Sequence, residues 1–127
     1  MLNKVQLIGF LGATPDIRYI PGDNSKAVAK FSLATSESWK WKDGKKQEHT
    51  EWHNIVIYGK LAEIAGEYLE KGSLVYLEGK LQTRSWEKEG ETKYITEIVC
   101  DSMKMLPNGK SHGAKQKSAP ADDDGPF

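Results

Sequence analysis

The chain has 127 residues, room for one domain with a modest core plus a tail. Its 18 Lys and Arg balance 18 Asp and Glu, which argues against a protein that holds nucleic acid by net charge alone. The single cysteine, Cys100, excludes an internal disulfide and fits a reducing cytoplasm, and no apolar run approaches the ~20 residues that would cross a bilayer.

Most of the chain reads as strands. The N-terminal run "VQLIGFLGA" carries Gln6 and has no small-residue cleavage site after it, so it is read as a strand and not a signal peptide. A bend or bulge is expected where it meets Gly9 and Gly12. "AVAKFSLATSESW" brings Val28, Phe31 and Leu33, and Asp43-Gly44 in "KWKDGKKQ" predicts a hairpin turn into "TEWHNIVIY". Leu61, Ile64, Ala65, Tyr68 and Leu69 then recur at helical spacing, with Gly72 as the expected C-terminal cap. "EGKLQTRSW" and "TKYITEIVCDSMKML" follow as two strands joined through "EKEGET". Three strands, a helix and two strands fit an all-β fold, a five-stranded and partly open Greek-key barrel of the oligonucleotide-binding (OB) type. Other small α+β folds share that order.

The domain is expected to span 1–106. The segment 107–127, "PNGKSHGAKQKSAPADDDGPF", lacks apolar periodicity and cannot offset its ordering entropy, so disorder is expected there. It is sorted by charge, with Lys110, Lys115 and Lys117 first and Asp122, Asp123 and Asp124 last.

Strand parity separates the aromatic residues from the core. In "WHNIVIY", Ile55 and Ile57 share a face with His53, which leaves Trp52, Asn54, Val56 and Tyr58 on the other. If the isoleucines point inward, Trp52 and Tyr58 point out. Along the strand through Trp86, one face carries Val75, Leu77, Gly79 and Leu81; Glu78, Lys80, Gln82, Arg84 and Trp86 form the opposite, charged face. Trp39 leaves two readings open. Its parity matches buried Phe31 and Leu33, yet it sits near the end of a long hairpin, and a bulge there would also turn it. Indoles exposed among Lys40, Lys42, Lys60, Lys80 and Arg84 predict a stacking platform for unpaired bases, each contact contributing roughly 1–3 kcal/mol. Such stacking selects single strands, because a duplex hides the base faces, and it removes the conflict with a neutral net charge.

"NKVQLIGFLGATPDIRY", "LATSESW", "TEWHNIVIYGKLAEIAGEYLEKGS", "VYLEGKLQTRSW" and the acidic tip together resemble the bacterial-type single-stranded DNA-binding protein family over residues 3–106. The resemblance implies an OB-fold homotetramer around which single-stranded DNA wraps without sequence preference, serving replication, recombination and repair. Its stacking positions match Trp39, Trp52, Tyr58 and Trp86 here, and Lys4, Arg18, Lys60, Lys71 and Arg84 match basic positions that are candidates for phosphate contact. The residue matching His53 lies at a subunit interface in the family; a histidine satisfied inside one subunit is the alternative. Four features depart from the pattern: Asn54 replaces a basic residue, Phe10 replaces a polar one, Trp41 has no counterpart, and the linker from Asn108 to Ala121 is short. The short linker is compatible with a compact phage or mobile-element form.

The chain carries no phosphate-loop, zinc-protease or EF-hand motif, and His49, His53, His112 and Cys100 lack zinc-ligand spacing, so neither enzyme activity, cofactor nor metal is expected. Two other binding classes remain open: an RNA-binding OB module of cold-shock type, and an OB domain whose tryptophans bury in a protein partner. The tip Asp122-Asp123-Asp124-Gly125-Pro126-Phe127 reads as a handle for replication and repair proteins. Phe127 can enter an apolar pocket while basic groups or backbone donors hold the terminal carboxylate, and the aspartates attract a basic partner. The family tip has a bulky apolar residue where Gly125 stands, so weaker partner binding is expected here.

Overall fold

Alternating apolar side chains line the inside of a barrel built from β1 (Val5–Leu11), β3 (Lys26–Lys40), β4 (Lys46–Tyr58), β5 (Leu74–Lys88) and β6 (Glu91–Leu106). A short β2 (Asp16–Ile20) lies on the edge of β3, and one helix, α1 (Lys60–Tyr68), separates β4 from β5. The computed structural model describes residues 1–22 and 26–107. The expectations placed on the linker and on Asp122 to Phe127 lie outside the described residues.

The sheet order is β1-β5-β6-β4-β3-β2, and an added β1–β3 pairing closes five of the strands into a circuit. Two short seams close it: Phe10 and Leu11 of β1 against Ala34 and Leu33 of β3, and a parallel pairing of Ile55–Ile57 with Ile98–Cys100. The mostly-β barrel with one helix is the fold class expected from the sequence. The addition is β2, where "DIRYI" pairs with Lys26–Lys30 as a sixth strand outside the circuit.

Leu11, Ala29, Phe31, Leu33, Ile55, Ile57, Val75, Leu77, Ile98 and Cys100 form the buried core. Burying each large side chain contributes about 1.5–3 kcal/mol relative to leaving it in water. Burial also pushes the Cys100 thiol up to about 11, so it stays protonated and unreactive at neutral pH. Gly9 serves the closing seam, because a Cβ there would overlap the Ala34 carbonyl where β1 crosses to β3. Gly12 lies in a bend just past β1, as expected.

Helix α1 buries Ala62 and Ala65, with Leu69 beyond its end, while Leu61, Ile64 and Tyr68 are half-buried. Its C-cap is Leu69, not Gly72. The Leu69 N–H still donates to the Ala65 carbonyl at 2.9 Å, but its extended backbone leaves the helix while its side chain enters the core. Gly72, at φ 92°, belongs to the turn that follows.

Two hairpins overrun the barrel. The β3–β4 turn forms at Asp43-Gly44 as predicted, with the Lys45 N–H donating to Asp43 Oδ1 at 3.0 Å. The β5–β6 turn uses Glu89 and Gly90 at φ 53° and 82°, the positive pair that suits a two-residue hairpin. Past the barrel rim both hairpins are two-stranded ribbons, and residues 80–94 are exposed throughout.

At two positions parity gives the direction of the side chain but not its burial. Val56, expected to face out, is buried because central β4 places it between Lys30 of β3 and Val99 of β6. Leu81, expected to face in, is exposed. The β1–β5 ladder stops at Val5 and Gly79, so no β1 side chain covers it; the Asn3 amide instead bonds the Leu81 N–H and carbonyl, both at 2.9 Å.

Candidate nucleic-acid interface

Trp52 and Tyr58 stand on the outward side of β4 at 57% and 44% exposure, and Trp86 on the outward side of β5 at 40%. β6 lies between the two strands. All three rings face away from the core, as strand alternation requires. Beside them on this face lie Lys30 of β3 and Arg84 of β5, both cationic.

The Trp52 ring rests on Gly12. A Cβ at Gly12 would overlap Cζ3 of the indole and stand 2.8 Å from the Ser32 hydroxyl oxygen. Residue 12 is therefore a floor for the ring, and its lack of a side chain sets how closely the indole lies against the barrel. The sequence marked Gly12 as a bend, and nothing in local periodicity could have paired it with Trp52. Along the same row, Phe10 of β1 opposes Ala34 of β3, which opposes Trp52. Phe10 is thus a further exposed ring at the margin of the platform.

Arg84 holds Trp86. Its guanidinium carbon lies 5.3 Å from the centroid of the Trp86 ring, a cation–π distance. Two donors of the same group reach Glu97, Nε to Oε1 at 3.0 Å and Nη2 to Oε2 at 3.3 Å. Glu97 is 8% exposed, a carboxylate that burial would penalise without this bidentate partner. The Glu97 hydrogen bond and charge hold the Arg84 guanidinium even more firmly protonated than usual. Arg84 is thus anchored on one side and stacked on the other. The sequence missed Glu97 because its partner lies across the β5–β6 ladder.

The other basic candidates are spread out. Lys60 opens α1, two residues after Tyr58, and is exposed. The Lys71 N–H donates to Thr14 Oγ1 at 3.3 Å, which places Lys71 near the bend containing Gly12. Arg18 projects from β2 with its Nε 3.3 Å from Asp16 Oδ2. Arg18, Asp16, Val28 and Lys30 line a shallow depression, and Val28 opposes Tyr58 on the neighbouring strand. Among the described residues Lys30 has no carboxylate within ion-pair distance. Lys4 is the exception to this grouping. It lies on the β1–β5 side, where it bonds Glu78 at 2.9 Å.

The β3–β4 hairpin settles Trp39. Its ladder runs without a register shift from Val28 opposite Tyr58 to Lys40 opposite Lys46, so no bulge reverses the strand. Trp39 is 42% exposed because the hairpin has left the barrel behind, and Trp41 beyond it is 55% exposed. His53 is half-buried on the opposite side of β4 from Trp52, and its Nε2 lies 2.9 Å from Thr35 Oγ1. That gives it a hydrogen-bond partner within its own chain.

Among the described residues no group of three or more His, Cys, Asp or Glu is placed to hold a metal ion, and no helix is long and apolar enough to cross a membrane.

Comparison with known proteins agrees with this geometry. The structure is similar to a Plasmodium falciparum SSB in complex with ssDNA, at 38% identity and a TM-score of 0.75, over 84% of this chain and 96% of that one. It is also similar to a deletion mutant of the single-stranded DNA binding protein from Thermus aquaticus, at 37% identity and a TM-score of 0.73. That match covers 85% of this chain and 52% of the Thermus chain. The model of the single-strand binding protein family matches residues 2–106, and the chain belongs to that family.

Proposed function

We propose that the chain binds single-stranded DNA without sequence preference by stacking bases on Trp39, Trp52, Tyr58 and Trp86, with phosphates met by nearby lysines and arginines. The observation that carries this reading is the set of Trp52, Tyr58 and Trp86, exposed on one outward face although indole and phenol rings are costly to leave in water. Membership in a family of binding proteins accounts for the chain without catalysis. Lys60, Lys71, Arg18 and Lys30 supply phosphate contacts around the rings, and Arg84 chiefly orients Trp86.

In this reading the protein covers and protects single strands exposed during replication, recombination and repair in a bacterial cytoplasm. It works as a homotetramer, and its C-terminal tip recruits partner proteins, with Phe127 as the anchor and Asp122, Asp123 and Asp124 as the long-range attraction. A tip peptide carrying Gly125→Ile should bind a replication or repair partner more tightly than the natural tip, as measured by calorimetry. Equal affinities would remove the idea that Gly125 weakens docking.

The test of the main reading is titration with an oligothymidine at two salt concentrations. Indole fluorescence should be quenched, and affinity should fall as salt rises through counterion release. Absence of quenching at low salt, or equal competition by duplex, defeats the reading. Preference for a matched RNA strand would move the assignment to an RNA-binding module.

A further inference from the structure

The tip of the β3–β4 hairpin is built against its own stability. Lys40 stands directly opposite Lys46, a like-charge cross-strand pair that destabilises a ladder. Lys42 and Lys45 lie within the same turn, and Asp43 is the one acidic residue there. Its carboxylate accepts the Lys45 backbone N–H. Among the described residues none of these four lysines has a carboxylate within ion-pair distance. A fold gains nothing from such a cluster, and local rules broken without compensation inside the fold mark a site that meets a ligand.

Two indoles share that tip. Trp39 and Trp41 are two residues apart and lie on one side of the ribbon, and both are exposed. The Trp41 N–H donates to the Lys45 carbonyl at 2.9 Å, which extends the ladder and fixes Trp41 in register beyond the last residue of β3. Residues two apart on a strand are spaced by about 6.6 Å. That is close to twice the ~3.5 Å contact distance between stacked carbons, so a flat base fits between or across the two rings. By the same alternation Lys40 and Lys46 project from the other side of the ribbon, and Lys42 and Lys45 lie in the turn that joins the two sides. A strand whose bases stack on the indoles would run its phosphates along the ribbon edge, within reach of these long side chains.

We propose that Trp41, with Trp39, forms a second base-stacking site at the hairpin tip, and that Lys40, Lys42, Lys45 and Lys46 hold the phosphates of the strand passing over it. The inference rests on the single-strand binding reading and adds a contact on the side of the hairpin opposite to the one that carries Trp52.

The test is fluorescence anisotropy of a dye-labelled oligothymidine with full-length protein. Trp41→Ala should weaken binding at least about fivefold at low salt, the equivalent of losing one stacked base. Trp41→Phe should recover most of that loss. Lys46→Ala should lower the slope of log affinity against log salt by about 0.7, one single-strand phosphate, while leaving thermal stability equal or higher. Trp52→Ala serves as the control. If Trp52→Ala weakens binding and Trp41→Ala does not, the hairpin site is overturned and the barrel reading stands. If neither weakens binding, the barrel reading falls as well. If Trp41→Ala alters the sedimentation of the protein but not its affinity, the ring belongs to a contact between copies and the inference is overturned.

Discussion

The β4–β6–β5 face and the β1–β5 face both point away from the barrel core and both expose apolar side chains, yet their polar groups are arranged in opposite ways. Around Trp52 and Tyr58 the cations Lys30 and Lys60 have no ion-pair partner among the described residues. On the β1–β5 face the exposed apolar side chain is Ile8, with Phe10 at the border between the two faces, and the charges beside Ile8 are consumed. Lys4 binds Glu78 at 2.9 Å, the Tyr76 hydroxyl donates to the same carboxylate, and the Gln6 amide donates to the Tyr76 hydroxyl at 3.0 Å. Flat rings with unmatched positive charge suit a polyanion with exposed bases. An exposed Ile8 beside a closed, neutral hydrogen-bond network suits another protein surface, which in the homotetramer proposed above would be a second copy of the chain.

The largest effect should come from placing a charge on the second face. Ile8 is exposed in the single chain, so Ile8→Asp should alter the fold by no more than about 0.5 kcal/mol. If that face is buried between subunits, an unpaired carboxylate there should cost about 3 kcal/mol or more of assembly. Sedimentation equilibrium should show a smaller species. An unchanged mass would break the contrast between the two faces.

Next in size are the ring deletions on the first face. Trp52→Ala and Trp86→Ala should each weaken binding to an oligothymidine by at least about 1 kcal/mol, with assembly unaffected. The pair should leave Ile8→Asp and the ring variants with separate defects. Unchanged affinity in both ring variants, with the fold intact, would sink the platform.

Gly12→Ala should act through Trp52 and more weakly than its removal. The added methyl meets the indole and the Ser32 hydroxyl, so the ring must shift from its seat. Affinity should fall by less than in Trp52→Ala, and in a Trp52→Ala background Gly12→Ala should have no further effect on DNA binding. A full second loss in that background would mean that Gly12 matters for another reason.

The sequence showed what alternation can show. Trp52, Tyr58 and Trp86 were placed outward because Ile55, Ile57, Val75 and Leu77 had to point in, and the two hairpin turns were legible in Asp43-Gly44 and in "EKEGET". It failed where burial depends on what lies across the ladder. Val56 obeys the outward parity but sits between two strands that screen it, and Leu81 obeys the inward parity but lies past the end of β1. The seat of Trp52 on Gly12 and the Glu97 anchor of Arg84 join residues far apart in the chain, and no periodicity encodes such pairs. Gly72 looked like a helix cap from its spacing alone, whereas the burial of Leu69 sets the exit from α1.

The smallest effect expected is a pH dependence carried by the closed network on the β1–β5 face. Hydrogen bonds from Tyr76 and then from Lys4 hold the Glu78 carboxyl below its ordinary value of 4.5. The Glu78 hydrogen bond and charge hold the Lys4 ammonium above 10.5. For Glu78 the ionised form is favoured in the folded state. Its contribution is therefore complete above the unfolded value and is lost as pH falls through the lowered folded value. For Lys4 the sign reverses, with the contribution complete below its unfolded value and lost as pH rises through the raised one. The pair should thus be intact between these limits and fail first on the acid side in ordinary buffers. Thermal unfolding of the parent and of Glu78→Gln should converge as pH is lowered from about 5 to about 3, because only the parent has this carboxylate to lose. Because Glu78 is only half-buried and its partner Lys4 is exposed, the difference should be small and should shrink with salt. Parallel curves over that range would mean that the Lys4–Glu78 pair adds nothing to the folded chain, and the β1–β5 face would then be distinguished by the exposed Ile8 alone.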